Sequence, residues 1–360
     1  MENSQQCMRG VWLTAHGDLN KLEYRTDIPK PSPAKGQVLV RVAAAGVNNT
    51  DINTRIGWYS KHDSSAEDAA WTGEPIRFPR IQGADVCGHI ESVGPAVDSK
   101  RIGERVLIEP CLTEVAGEQL DQPWYLGSEC DGGFAEYVVV AAAHAHPIES
   151  SLSDIELASF PCSYSTAENL LTRSMVKAGD RVLITGASGG VGSAAVQLAC
   201  ARGAEVIAIT SLSKVDSLLA LGASNAITRE QDPVAVLGGN SMDVVIDLVG
   251  GRAWPRLLDV LKPHGRYAVS GAIAGPLVEL DLRTLYLKDL SLFGCTVLGP
   301  EVFPNLIRQI EHGRVKPLVA KTFQLQDITK AQQRFLQKTH VGKIVLTIDT
   351  RPPTIQPSVG

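Results

Sequence analysis

The chain has 360 residues, 34 Lys and Arg against 39 Asp and Glu, and a formal net charge of −5. Apolar residues make up 44% and charged residues 20%, a globular composition on a chain long enough for two separate cores. The missing basic run excludes a nucleic-acid backbone as partner, apolar stretches such as Val138–Ala143 are far shorter than the ~20 residues of a membrane-spanning helix, and residues 1–10 lack the apolar core of a secretory signal, so the expected location is cytoplasmic.

Residues 1–150 read as short strands with turn punctuation. Gln37–Ala43 alternates apolar and polar residues, with Gly46 as its stop. His89–Val93, Arg105–Ile108 and Phe134–Val140 follow in the same manner. Trp58–Arg80 and Leu112–Gly127 are polar, carry Gly or Pro, and read as long loops, the kind that usually serve as lids or mobile segments. Ser153-Asp154-Ile155-Glu156 is a capping box opening a helix that Pro161 interrupts.

From Arg181 onward strands and helices alternate. The strand candidates are Arg181–Thr185, Glu205–Ile209, Asn225–Thr228, Asp243–Asp247, Arg266–Ser270 and Ser291–Thr296. Gly190–Arg202, Lys214–Leu221 and Arg252–Leu261 supply crossover helices, which together indicate a doubly wound parallel sheet. Helices at Phe303–His312 and Asp327–Lys338 and a strand at Lys343–Ile348 come last. They are too few for a third core and are expected to complete the first domain. The expected organisation is therefore α/β: a β-rich domain (1–150, completed by 299–349) split around a six-stranded Rossmann domain (151–298), with a frayed tail at 350–360.

Val182–Ala195 carries the strongest signal: an apolar strand, a glycine-rich turn and a helix. Ser188, Gly189, Gly190 and Val191 offer backbone N–H groups to a pyrophosphate at a helix start, and Gly192 lets the helix approach the sheet. The second strand ends in Ile209-Thr210-Ser211-Leu212-Ser213-Lys214. An NAD site normally carries an acid at that tip for the ribose hydroxyls. Here Thr210, Ser211, Ser213 and Lys214 suit a 2′-phosphate, so NADP(H) is the expected cofactor.

Seven cysteines, widely scattered and without C-x-x-C spacing, indicate neither a disulfide framework nor a local zinc clip. Several motifs occur in a recognisable order: Ala45-Gly46-Val47-Asn48-Asn49-Thr50-Asp51, the Gln82–Gly94 run, Asp131–Tyr137, the cradle, and Gly342-Lys343-Ile344-Val345-Leu346. In these the chain to about residue 349 resembles the medium-chain dehydrogenase/reductase superfamily, and within it the zinc-independent quinone oxidoreductase (zeta-crystallin-like) branch. The resemblance implies a GroES-like catalytic domain around the Rossmann domain and a homodimer formed through Ser291–Thr296.

Zinc-dependent members of that superfamily take ligands at positions that here hold Asn48, Ala84 and Cys162. An amide, a methyl group and one thiol do not make a zinc site, so no metal is expected. A replacement set built on Cys87 and His89 is the weaker alternative, the lobe of four cysteines is missing, and His144 and His146 are read as flanking the domain junction. Without a Lewis acid, hydride delivery to an already electrophilic quinone or α,β-unsaturated carbonyl is the expected chemistry. Expected catalytic residues are Asn48, Asp51 and Tyr59, the last as donor to a developing oxyanion. Thr166, Val249, Ser270, Gly271 and Phe293 are expected to line the cofactor crevice, and Lys343 to reach its phosphates. The competing readings are a zinc-type alcohol dehydrogenase with atypical ligands, an NADPH-binding structural or regulatory protein, and an enoyl-thioester reductase, for which no basic entrance is visible.

Overall fold

The computed structural model describes residues 6–60 and 70–348; the tail at 350–360 and the middle of Trp58–Arg80 lie outside them. The parallel sheet has six strands in the order Asn225–Thr228, Glu205–Thr210, Arg181–Ile184, Met242–Asp247, Leu261–Val269, Ser291–Gly294. The order reverses direction at Arg181–Ile184, which creates the crevice where such sheets bind dinucleotides. Its strands are near-continuous apolar runs because helices cover both faces. Ile184, Val244 and Ala268 face one core, whereas Leu183, Val245 and Tyr267 face another with Trp254.

The other large sheet has seven strands. Gln37–Val47 is its spine, pairing with Asp85–Val93, Tyr137–Ala141 and, antiparallel, Lys343–Thr347. The chain's last described strand thus docks beside one of its first. Gly46 does not stop the spine strand. It pairs with Asp85 on one side and Val345 on the other, and it is glycine because a Cβ there would stand 2.3 Å from Asp85 Oδ2 and 2.8 Å from the Ala158 carbonyl.

Several other expectations are corrected. Leu112–Gly127 is mainly an antiparallel hairpin, Cys111–Val115 with Glu118–Tyr125, instead of a loop. Phe134 lies outside the strand expected at Phe134–Val140, which runs over Tyr137–Ala141, and is fully buried in the core. Pro161 does not break a helix. The capping-box helix ends at Leu157, and Pro161 opens Pro161–Arg173 from its first turn, where its missing N–H costs no hydrogen bond. The helix expected at Arg252–Leu261 is Trp254–Asp259, and Leu261 already opens the next strand. Val302–Glu311 packs Phe303, Leu306 and Ile310 into the parallel sheet's core, and the return to the first sheet begins at Val319. No helix among the described residues is long and apolar enough to cross a membrane.

Candidate active site

Strand register assembles the centre of the site. Ile344 pairs with Val47 and Gly46 with Asp85, so Lys343, Asn48 and Asp85 meet at the ends of three adjacent strands. Lys343 and Asp85 are 2% and 0% exposed, with Nζ 2.6 Å from Asp85 Oδ2. The ammonium also donates to Asn48 Oδ1 and, at 3.2 Å, to Ser163 Oγ. Asn48 Nδ2 donates to Asp85 Oδ2 at 2.8 Å, and the Cys162 backbone N–H to Asp85 Oδ1 at 2.5 Å. Every strong donor and acceptor of the cluster is paired, as a charge in a low-dielectric interior requires.

This geometry revises three expectations. Lys343 was expected to reach the cofactor phosphates; its stem does run beneath Gly190, where a Cβ would meet Lys343 Cδ at 3.0 Å, but its charge turns inward because buried Asp85 requires a counterion. Asn48 is 5% exposed with its amide engaged at both ends, which makes it a part of the ion-pair frame. Asp51 accepts the Asn48 N–H at 2.7 Å as helix Asn49–Ile56 begins. Burial pushes its carboxyl up to about 7, against the pull of the Asn48 N–H and with the Asp85 charge adding to the rise.

Beyond that frame, Tyr59 follows the same helix and donates its phenol to Thr50 Oγ1 at 3.1 Å. Burial raises its pKa, with the nearby Cys162 and Asp51 adding to the shift, so it holds a proton throughout the neutral range. Cys162 Sγ lies 3.1 Å from the Tyr125 hydroxyl, and burial pushes the thiol up to about 12. Ala84, Cys111, Tyr125 and Cys162 form one buried cluster that Trp71 and Leu298 cover.

A zinc ion fits this arrangement poorly. Position 84 offers a methyl group, the Asn48 amide is engaged, the Cys162 thiol is far from ionised, and an ammonium lies beside the only carboxylate that Asn48 and Cys162 share. The Cys87 and His89 alternative fares no better: Cys87 is in the core beside Asp154, and among the described residues no three His, Cys, Asp or Glu are placed to hold a metal. His146 and Glu109 bond at 3.0 Å, and His146 packs on Phe303, at the junction between the two sheets.

The cradle lies above the ion pair. Gly189 precedes helix Gly190–Ala201, leaving the N–H groups of its first turn open to an anion. Gly192 must be glycine, since a Cβ would come within 2.3 Å of the Gly186 carbonyl. Buried Asp247, which sequence reasoning missed, ties three strand tips together: Thr185 and Tyr267 hydroxyls donate to it at 2.5 and 2.6 Å, and the Val249 N–H at 2.9 Å. It thereby shapes the turn at Val249 and Gly250, beside Ser270 and Gly271 at the neighbouring tip. Phe293 lies one residue before the end of strand Ser291–Gly294 and lines a cavity with Gly250, Gly271 and Ala272. The Thr166 hydroxyl donates to the Cys162 carbonyl at 2.7 Å within its own helix.

At the tip of Glu205–Thr210, Thr210 is buried and its hydroxyl has no partner among the described residues. Ser211 and Ser213 stand beside it, their hydroxyls 3.5 Å apart. Lys214 Nζ lies 3.4 Å from Ser188 Oγ and 2.7 Å from the Lys338 carbonyl. Arg229 is adjacent, its N–H on the Thr210 carbonyl. Lys338 and His340 arrive from the returning segment, a contribution that sequence reasoning missed because no local motif marks it. Burial lowers Lys214, with Arg229 adding; burial and then Lys214 bring Lys338 down to about 8, and burial with the same cations brings His340 down to about 4. Among the described residues no carboxylate pairs with Lys214 or Lys338, so the cluster is a set of mutually repelling cations.

An alcohol dehydrogenase GroES-like domain model matches residues 34–150, and a zinc-binding dehydrogenase model matches residues 190–312. The chain is 30% identical to an NAD-dependent alcohol dehydrogenase of Sulfurisphaera tokodaii, over 94% of this chain and 99% of that protein. It is 27% identical to the quinone oxidoreductase of Homo sapiens, over 97% of this chain and all of that one (100%). A solved structure from Sinorhizobium meliloti 1021, assigned as an alcohol dehydrogenase, superposes with a TM-score of 0.88 at 44% identity, covering 97% of this chain and 99% of that one.

Proposed function

This chain belongs to the medium-chain dehydrogenase/reductase superfamily and is an oxidoreductase, and on that footing we propose that it is NADPH-dependent, works without zinc, and passes hydride to a quinone or an α,β-unsaturated carbonyl. The observation that carries the cofactor reading is the pair of cations without a carboxylate partner among the described residues, Lys214 and Lys338, at the Thr210 tip, where an NAD site would carry an acid. A 2′-phosphate dianion there would relieve the repulsion between Lys214 and Lys338 and accept a bond from the Thr210 hydroxyl.

Ser188, Gly189, Gly190 and Val191 would hold the pyrophosphate, with Val249, Ser270, Gly271 and Thr166 along the crevice. The bound nicotinamide supplies the hydride. Tyr59, whose pKa is raised, keeps its phenol proton and donates a hydrogen bond to the acceptor oxygen as charge collects there. The Asp85–Lys343 frame fixes the backbone around it. Because the acceptor is already electrophilic, no step requires a metal.

We also extend the proposal to a homodimer. Edge strand Ser291–Gly294, shorter than the Ser291–Thr296 expected, presents Leu292 at 37% exposure, and Leu277, Leu282 and Leu287 nearby are 90%, 63% and 72% exposed. An open edge flanked by apolar side chains is the kind of surface a second copy covers.

Fluorescence titration with NADPH and NADH tests the cofactor reading. NADPH is expected to bind at least about ten-fold tighter, given charge-assisted phosphate contacts of ~1.5–3 kcal/mol, and equal affinities would refute it. Metal analysis of the purified protein tests the rest: stoichiometric zinc whose chelation abolishes turnover would overturn the metal-free mechanism.

A further inference from the structure

Two segments with unrecognisable local sequence meet at one place. Trp71 and Tyr125 stack with ring centroids 5.3 Å apart and planes tilted by 33°. Their backbones are stapled together. Glu129 accepts the Thr72 N–H on Oε1 and the Tyr125 N–H on Oε2, both at 2.8 Å. Ser128 Oγ accepts the Trp71 N–H at 3.3 Å, and Gln122 Nε2 donates to the Thr72 carbonyl at 3.3 Å. One carboxylate thus fixes the distance between two elements that share no strand pairing.

The staple has a direction. It presses the aromatic pair over Cys162 and Ala84, the two positions beside the ion-pair frame, with Leu298 closing the same cluster from the cofactor domain. Tyr125 meets Cys162 through its hydroxyl, and burial keeps both groups protonated. The indole packs on Tyr125 and the Cys162 cluster and stays partly exposed, and a flat conjugated ligand can stack its π-face on such a ring while its oxygen meets a phenol.

We propose that Trp71 and Tyr125, held as one unit by Glu129, form the wall of the acceptor site and select planar conjugated acceptors of the quinone type over acyclic enones. Tyr125 meets the second carbonyl oxygen of a quinone, the first being the one that Tyr59 meets, and Glu129 is a positioning residue that touches only backbone. The proposal rests on the reductase reading above and adds the substrate class to it.

The test compares menadione with methyl vinyl ketone on the NADPH-saturated protein and on its Trp71→Ala, Trp71→Phe, Tyr125→Phe and Glu129→Gln variants. Trp71→Ala is expected to raise KM for menadione about ten-fold, the scale of one lost aromatic stacking contact, with kcat for both acceptors and KM for methyl vinyl ketone within about two-fold. Trp71→Phe should restore most of the loss. Glu129→Gln should shift the menadione KM in the same direction by a smaller factor, and Tyr125→Phe should lower kcat/KM for menadione more than for the enone. Equal losses for both acceptors, or none, would overturn the wall. Quenching of tryptophan fluorescence by menadione, compared between the wild type and Trp71→Phe, reads the contact without turnover. If the wild type oxidises NADPH with neither acceptor, the reductase reading fails, and this quenching difference still decides the wall.

Discussion

Lys343 and Lys338 lie five residues apart on the same returning segment, yet they occupy opposite electrostatic situations. The Lys343 ammonium is buried against Asp85, Asn48 and Ser163, and no donor is left over. Lys338 has Asn49 Oδ1 at 2.8 Å and the Phe335 ring at 3.6 Å and no carboxylate among the described residues, and burial, then the neighbouring Lys214, push its pKa down. A cation with a full set of partners has nothing to offer a ligand and is part of the frame. A cation held among like charges is destabilised until an anion arrives. Compensation, more than burial or residue type, separates the structural lysine from the binding one.

The sharpest break of that comparison is Lys343→Met. Removing one partner of a buried pair strands the other charge, at a cost of about 3–5 kcal/mol, to be read as a lower urea midpoint. Adding Asp85→Asn should recover part of the loss, so the two changes would be non-additive. If Lys343→Met leaves the midpoint where it was, the pair does not hold the site.

Lys338→Met should do the reverse. NADPH affinity is expected to fall about ten-fold, as for a lost charge-assisted contact, while NADH affinity holds and the free protein at pH 7 is more stable than the wild type. The sign follows from the depressed pKa. The folded state disfavours the charged form, so wild-type stability rises as pH climbs from about 8 toward the ordinary lysine value, and the variant lacks that rise. The NADPH preference should also shrink as pH passes about 8 and Lys338 loses its proton. Titrations with both cofactors at pH 7 and pH 9 check this; equal loss for NADH would mean that Lys338 supports the fold and not the phosphate.

The same contrast explains what could be read from the chain. The cradle was legible because only glycine tolerates its close approaches, as at Gly192, and the strand and helix around it carry their own periodicity. The acid-free tip at Thr210 was legible because it follows the cradle at a fixed distance. The Asp85–Lys343 pair was not: it depends on the register of strands from opposite ends of the chain, and each residue alone reads as an ordinary surface charge. The hairpin at Cys111–Tyr125 was hidden by its turn. Ala116 and Gly117 both have positive φ, 54° and 84°, where an Asn-Gly pair would have announced the turn and alanine does not. Missing the hairpin meant missing Tyr125 and Glu129, and with them the aromatic wall.

Asp51 gives the finest probe of the frame. Its surroundings are the Asn48 and Gly83 N–H groups, which favour the carboxylate, the Asp85 charge, which opposes it, and Lys343, which offsets Asp85. Burial dominates and holds the folded pKa at about 7, well above an ordinary aspartate. The folded state therefore binds a proton that the unfolded chain has released between about pH 4 and pH 7, and this group's contribution to stability falls as pH rises through that window. Asp51→Asn keeps an oxygen for the Asn48 N–H and carries no charge, so its stability should match the wild type near pH 4 and exceed it at pH 8. Urea midpoints across that range check the prediction. A variant less stable at every pH would mean that the carboxylate is ionised in the folded protein, and that Lys343 compensates two charges instead of one.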